Sequence, residues 1–158
     1  MRLLVLSDSH GRRGALERAI AEQPAARHIF FLGDLVRDIE AVREFFPDRV
    51  FHIVTGNCDG PTLFPAAAIE TVEQMPILYT HGHTFRVKSG TGPLLERARE
   101  HGCKIALFGH THIPLLSYEN GVYAVNPGSV GAARNGVESY AVIDIGKSGI
   151  LPAILTMK

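Results

Sequence analysis

The sequence predicts a mixed α/β fold, a four-layer α/β/β/α sandwich in which two mixed β-sheets pack together with helices on their outer faces. Three observations carry that expectation. From Leu3 to Val54 buried-strand and amphipathic-helix patterns alternate as β-α-β-α-β, the order that gives parallel strands with crossover helices. From Ala67 onward one helix pattern stands among strand patterns, and an Asn-Gly pair between apolar runs marks a hairpin. Between these elements, glycines and polar donors recur wherever a strand pattern stops.

Leu3 to Leu6 reads as a buried strand and Gly11 to Glu22 as a helix with Leu16 and Ile20 on its apolar face. His28 to Leu32 is a second buried strand, ended by Gly33-Asp34. Val36, Ile39, Val42 and Phe46 recur at helical spacing until Pro47 stops the run, and Val50 to Val54 is a third strand. The segment from Thr55 to Pro61 is rich in turn residues. Ala67 to Glu73 and Pro76 to Thr80 read as adjacent strands with a Gln74-Met75 link. Pro93 suits the first turn of a helix running to about Glu100, with Gly102 at its end. Lys104 to Phe108 is a strand, followed by Leu115 to Tyr118, the Glu119-Asn120-Gly121 turn, Val122 to Val125, Ser139 to Ile145 and Ile150 to Thr156.

The chain has 158 residues, enough for one domain with a real core, and neither a linker nor a repeat divides it. Sixteen basic residues balance sixteen acidic ones, so no general electrostatic footprint for nucleic acid or an anionic membrane is expected. Cys58 and Cys103 are too few for a disulfide framework or a zinc ribbon. No apolar run approaches the roughly 20 residues of a membrane span. With no signal-type segment at the N-terminus, the expected location is cytoplasmic.

The chemistry lies at the strand ends. Residues two apart in an extended segment point the same way, so His110 and His112 can aim at one point beyond Phe108-Gly109. Asp8 and His10 repeat the arrangement after the first strand. Gly33-Asp34, Gly56-Asn57 and His81-Gly82-His83 add further donors, each behind a predicted strand. In open α/β sheets the ligand site lies beyond the carboxyl ends of the strands, so these groups converge on one crevice. Singly, each of Asp8, Asp34 and Asn57 would read as a loop-capping residue, and His110 and His112 as loop histidines; the ordered set points instead to divalent metal.

Asp-x-His, Gly-Asp, Gly-Asn-x-Asp, His-Gly-His and Gly-His-x-His, in that order, resemble the calcineurin-like metallophosphoesterase superfamily. The length, the Gly-Asn-Cys-Asp form and Asn126-Pro127-Gly128-Ser129 are similar to its small stand-alone bacterial and archaeal phosphodiesterases. The resemblance implies two adjacent divalent metals. Asp8, His10 and His112 would hold the first, Asn57, His81 and His110 the second, and Asp34 would bridge them. A carboxylate has two oxygens for two cations, and the mixed nitrogen and oxygen set suits Mn, Fe, Co, Ni or Zn, with Mn the first choice. The implied reaction is hydrolysis of a small phosphoester, a diester by family branch, by hydroxide held between metals about 3.5–4 Å apart. The alternatives are a phosphomonoesterase and a non-catalytic interaction scaffold of the kind found in the retromer complex. Relatives often form dimers or higher assemblies, which makes a homo-oligomer the expected partner state.

Many relatives carry His where this chain has Cys58, and that imidazole contacts the phosphate or protonates the leaving oxygen. A thiol with a pKa of about 8.5 is a poor substitute, so Cys58 reads as a weakened catalytic position or as a small buried hydrophobe. His83, two residues beyond His81, is the replacement proton donor. Asp59 reads as a capping carboxylate and Asn126 to Ser129 as a supporting loop. His28, His52 and His101 read as packing or surface residues, and Arg12, Arg13, Arg37, Arg86 and Arg134 as solvated arginines rather than phosphate contacts.

Overall fold

In the computed structural model, which describes residues 1–157, two five-stranded sheets share the strands. The first sheet has the order β10-β9-β1-β2-β3, from β1 (Arg2–Leu6), β2 (Ala26–Phe31), β3 (Val50–Ile53), β9 (Ser139–Gly146) and β10 (Gly149–Thr156). The second runs β4-β5-β6-β8-β7, from β4 (Ala67–Val72), β5 (Met75–Thr80), β6 (Ile105–Leu107), β7 (Leu115–Glu119) and β8 (Val122–Asn126). Three helices complete it: α1 (Arg13–Ala21), α2 (Val36–Arg43) and α3 (Gly92–Glu100).

Period-two burial builds the layers. In β1, Leu4 and Leu6 face α1 and α2, packing with Leu16, Ile20 and Ile39. Leu3 and Val5 point the other way and meet Ile77, Tyr79, Ile105 and Leu107 of the second sheet. The same alternation in β5 and β6 sends Leu78 and Ala106 outward onto Leu94, Leu95 and Ala98 of α3. Helices therefore cover both outer faces and an apolar layer joins the sheets, as the patterning predicts.

Strand direction decides where the loops gather. β1, β2 and β3 are mutually parallel, as are β5, β6 and β8, so their carboxyl ends lie along one rim of each sheet. The meander strands are antiparallel. The link between β4 and β5 is Glu73-Gln74 rather than Gln74-Met75, because Val72 pairs with Met75. Both link residues have positive φ, the geometry of a tight two-residue hairpin, and Asn120-Gly121 does the same between β7 and β8.

Helix boundaries differ modestly from the expectation. α1 starts at Arg13 rather than Gly11, because His10 and Gly11 sit at φ 45° and 89° in a turn. α2 stops at Arg43, and the backbone bonds from Phe45 to Val42 and from Phe46 to Arg43 finish it as a tightened turn. Two short 3₁₀ turns, His83–Phe85 and Val87–Ser89, follow β5 where the sequence shows only loop character.

Candidate metal centre

Every donor predicted from sequence arrives at the shared rim: Asp8 and His10 after β1, Asp34 after β2, Asn57 after β3, His81 after β5, and His110 and His112 after β6. Asp8, His10, Asp34 and His112 form one group, with one donor atom from each lying within 4.8 Å of the others. His112 Nε2 is 3.0 Å from Asp8 Oδ1 and 3.3 Å from His10 Nε2, and His10 Nε2 is 3.6 Å from Asp34 Oδ2. A second group adjoins it. There His81 Nε2 lies 3.1 Å from Asn57 Oδ1, 3.2 Å from His110 Nδ1 and 3.4 Å from Asp34 Oδ1. Asp34 thus turns one oxygen to each group. Each group also draws donors from both sheets.

Backbone contacts fix which nitrogens are free. His81 Nδ1 donates to the Leu32 carbonyl at 2.7 Å and His112 Nδ1 to the Ala132 carbonyl at 2.8 Å. A carbonyl only accepts, so Nδ1 of each ring carries the proton and Nε2 is the nitrogen left to face carboxylate or amide oxygens. Acceptors facing acceptors need a proton or a cation between them. Asp8 Oδ1 makes the same point: it is buried and faces His112 Nε2 at 3.0 Å, while its neighbour Oδ2 accepts from Ser7 Oγ and the His110 amide. The residues present therefore fit divalent metal, and the nitrogen and oxygen set without thiolate matches borderline ions.

The charges agree. Burial alone would raise the Asp8 carboxyl, but the His112 hydrogen bond, the His81 charge and the Ser7 hydroxyl hold it below its ordinary value. Hydrogen bonding to Asp8 raises His112 against the opposing effect of burial, so a cation entering there competes with a proton. Burial, with His81 and Lys88 adding, pushes His110 down to about 4, leaving a neutral ring with a lone pair to give.

Such convergence strains the chain. Asp8, His10, Asp34, His110 and His112 all sit at left-handed φ, between 45° and 68°, at a cost of about 1–3 kcal/mol each. Glycines make room. A Cβ on Gly109 would overlap Ser7 Oγ and Asp8 Oδ2, and one on Gly56 would overlap Asp34 Oδ1. Asp59 proves to be the capping carboxylate expected, accepting from the amides of Asp34, Val36 and Gly56 at 2.7–3.0 Å. Asn126 and Ser129 support the loops from below, bonding the Gly109 and Asp8 carbonyls.

Cys58 is exposed, which removes the buried-hydrophobe reading. Its amide donates to Asp34 Oδ1 at 2.9 Å, while partial desolvation and the Asp34 carboxylate push the thiol pKa up. His83 stands beside the second group, its ring centroid 5.5 Å from that of His81, with a buried Nδ1 that has no partner. Burial and His81 lower its pKa. Of the arginines, Arg12 pairs with Glu138 and Arg13 with Asp38. His52 is buried and stacks on Phe30, whereas His101 is exposed. Sequence reasoning missed Ser7, Ser9 and Asp38, and the carbonyls of Leu32 and Ala132; only Asp38 left a trace, as an acid in the first turn of α2.

Comparison with known proteins gives the family. Residues 1–148 match the calcineurin-like phosphoesterase superfamily domain, and the chain belongs to that family of metallophosphoesterases. It is 31% identical over 148 residues to the probable metallophosphoesterase YsnB of Bacillus subtilis, covering 92% of this chain and 85% of YsnB. It is 29% identical over 170 residues to the phosphodiesterase YfcE of Escherichia coli, covering 91% and 88% respectively. Among solved structures, a predicted phosphoesterase of Streptococcus pneumoniae superposes with a TM-score of 0.85 at 28% identity, over 98% of this chain and 88% of that one. Vps29 of Entamoeba histolytica shares the fold at a TM-score of 0.75 and 20% identity, with both chains fully covered. No helix among the described residues is long and apolar enough to cross a membrane.

Proposed function

We propose that this chain is a two-metal phosphodiesterase acting on a small phosphoester. Asp8, His10, Asp34 and His112 hold one divalent ion, and Asp34, Asn57, His81 and His110 hold the other, with Mn as first choice. The observation that carries the reading is the division of Asp34, whose Oδ2 faces His10 at 3.6 Å while Oδ1 faces His81 at 3.4 Å. When bound, the two cations supply activation of water at neutral pH and neutralisation of charge building on the phosphoryl oxygens.

The chain's own residues do the rest. The Leu32 and Ala132 carbonyls keep His81 and His112 in the tautomer that presents Nε2. Asp59 accepts from the amides of Asp34, Val36 and Gly56, tying the turn that carries Asp34 to the loop that leads into Asn57. His83, neutral at pH 7, offers the leaving oxygen a hydrogen bond rather than a full proton, and the Cys58 thiol adds no positive charge. Esters with good leaving groups are therefore the better substrates. The diester preference draws on the name carried by YfcE.

The test is metal analysis of the purified protein together with a panel of phosphomonoesters and diesters assayed across Mn, Fe, Co, Ni and Zn. Asp34→Asn, which leaves one neutral amide oxygen for two sites, should lower kcat on an activated aryl diester by about 10²–10³-fold. An unchanged rate in that variant would rule out the shared carboxylate. A folded chain that takes up no divalent ion and cleaves no ester would fit the interaction-scaffold reading instead.

A further inference from the structure

We infer that Asp38 is the positioning residue for His10, and that it sets one of the two cation sites without touching the other; the inference rests on the two-site reading above. Asp38 lies in the first turn of α2 and is 1% exposed. Its Oδ2 accepts from Ser9 Oγ at 2.9 Å and from the Gly11 amide at 2.8 Å, while Oδ1 accepts from Arg13 Nε at 3.1 Å. The two donors on Oδ2 belong to the residues immediately before and after His10.

A backbone bond from the Arg12 amide to the Ser9 carbonyl at 2.9 Å closes this turn, and Asp38 grips it from α2. His10 is beyond β1 and ahead of α1, at φ 45°, where an L side chain does not rest of its own accord. A buried carboxylate is costly unless its oxygens are bonded, and Asp38 is satisfied almost entirely by the turn it grips. Arg13 is half exposed and closes only the outer oxygen. The Ser9 hydroxyl also lies 3.3 Å from the Asp34 carbonyl, so the clamp reaches the backbone of the shared carboxylate. Asp38 has no hydrogen bond to Asn57, His81 or His110, the residues of the second group. The direct support from Asp38 therefore falls on the His10 side of the pair.

The experiment is Mn²⁺ titration of the metal-freed full chain by calorimetry, with electron paramagnetic resonance to distinguish coupled from isolated ions. Wild type should take two ions per chain with a coupled spectrum. Asp38→Ala should keep one ion at wild-type affinity and bind the other about 10–100-fold more weakly, with the spectrum of an isolated ion, the usual penalty for losing a partner that orients a ligand. His10→Ala should reproduce that pattern. Asp38→Asn should restore two ions, because its amide oxygen can accept from Ser9 and Gly11 while the amide nitrogen turns toward Arg13, which is free to swing into solvent. Retention of both affinities in Asp38→Ala, equal weakening of both sites in a folded variant, or failure of Asn to rescue would each overturn the inference. Should Asp38→Ala not fold, Ser9→Ala removes a single donor and should weaken the same site several-fold; unchanged affinities there count against the clamp. A wild type that binds fewer than two ions would instead bring down the two-site reading itself.

Discussion

The ring of His81 is tied to Leu32 through a 2.7 Å bond from Nδ1 to the carbonyl oxygen, joining the end of β5 in one sheet to the end of β2 in the other. With that nitrogen committed, Nε2 meets three other acceptor-type atoms within 3.4 Å. A centre of this kind is destabilised when empty. Chelator treatment should therefore lower the melting temperature, and restoring Mn²⁺ to 100 times its dissociation constant should return about 2.7 kcal/mol per site, or roughly 5–11 °C in a chain of this size. Calorimetric melting with and without chelator checks it, and identical curves would count against bound metal.

The close passage of Gly109 over Ser7 and Asp8 predicts a sharp contrast between two glycines. Gly109→Ala forces its new methyl group into Ser7 Oγ and Asp8 Oδ2, so the variant should lose about 1–3 kcal/mol of stability. It should also lose metal. Gly14, within α1 and with nothing near its missing Cβ, should gain about 0.5–1 kcal/mol on substitution by alanine. Urea unfolding of the pair decides whether close approach or mere helix propensity governs.

Cys58 sits exposed against Asp34, with its thiol protonated at neutral pH. Replacing it by His adds a group that can carry positive charge beside the phosphoryl site. Cys58→His should raise kcat for a poorly activated diester by about 10-fold or more, within the range of general acid catalysis, and barely change an activated aryl ester. The ratio of the two rates is the readout, and equal effects on both would remove the leaving-group argument.

His52 provides a pH prediction away from the centre. It is buried against Phe30, and burial lowers its pKa, as it does for His28, whose Nδ1 is 3.0 Å from His52 Nε2. A histidine of depressed folded pKa binds more protons when unfolded, so stability is complete above the unfolded value of about 6.5 and is lost as pH falls below it. In the metal-free protein, His52→Phe, which keeps the stacking, should flatten the fall in unfolding free energy between about pH 6.5 and 5. Denaturant titrations at several pH values test this, and parallel curves for variant and wild type would refute it.

Much of this architecture is legible in the sequence because burial alternates strictly. Leu3 against Leu4 and Ile77 against Leu78 face opposite layers, and no other period accounts for those runs. The donors are legible for a related reason: Asp8, Asp34, Asn57, His81 and His110 each follow a strand whose end the pattern marks. What the sequence does not show is support that depends on three-dimensional approach. The Leu32 and Ala132 carbonyls carry no side-chain signature, and Asp38 looks like any solvent-facing acid of an amphipathic helix until α2 is laid over the His10 turn. The short 3₁₀ turns after β5 escape for a similar reason, since left-handed Gly82 and Arg86 set them rather than any periodicity.

Both groups of donors straddle the seam between the sheets. An ion captured by either one rivets together two halves that otherwise meet mainly through greasy side chains, and it can be captured only after both halves are in register. Loading would then serve as a certificate that folding is complete, and stripping the ions should let the halves breathe apart before either melts, seen as faster amide exchange along β1 and β6 than along the outer hairpins.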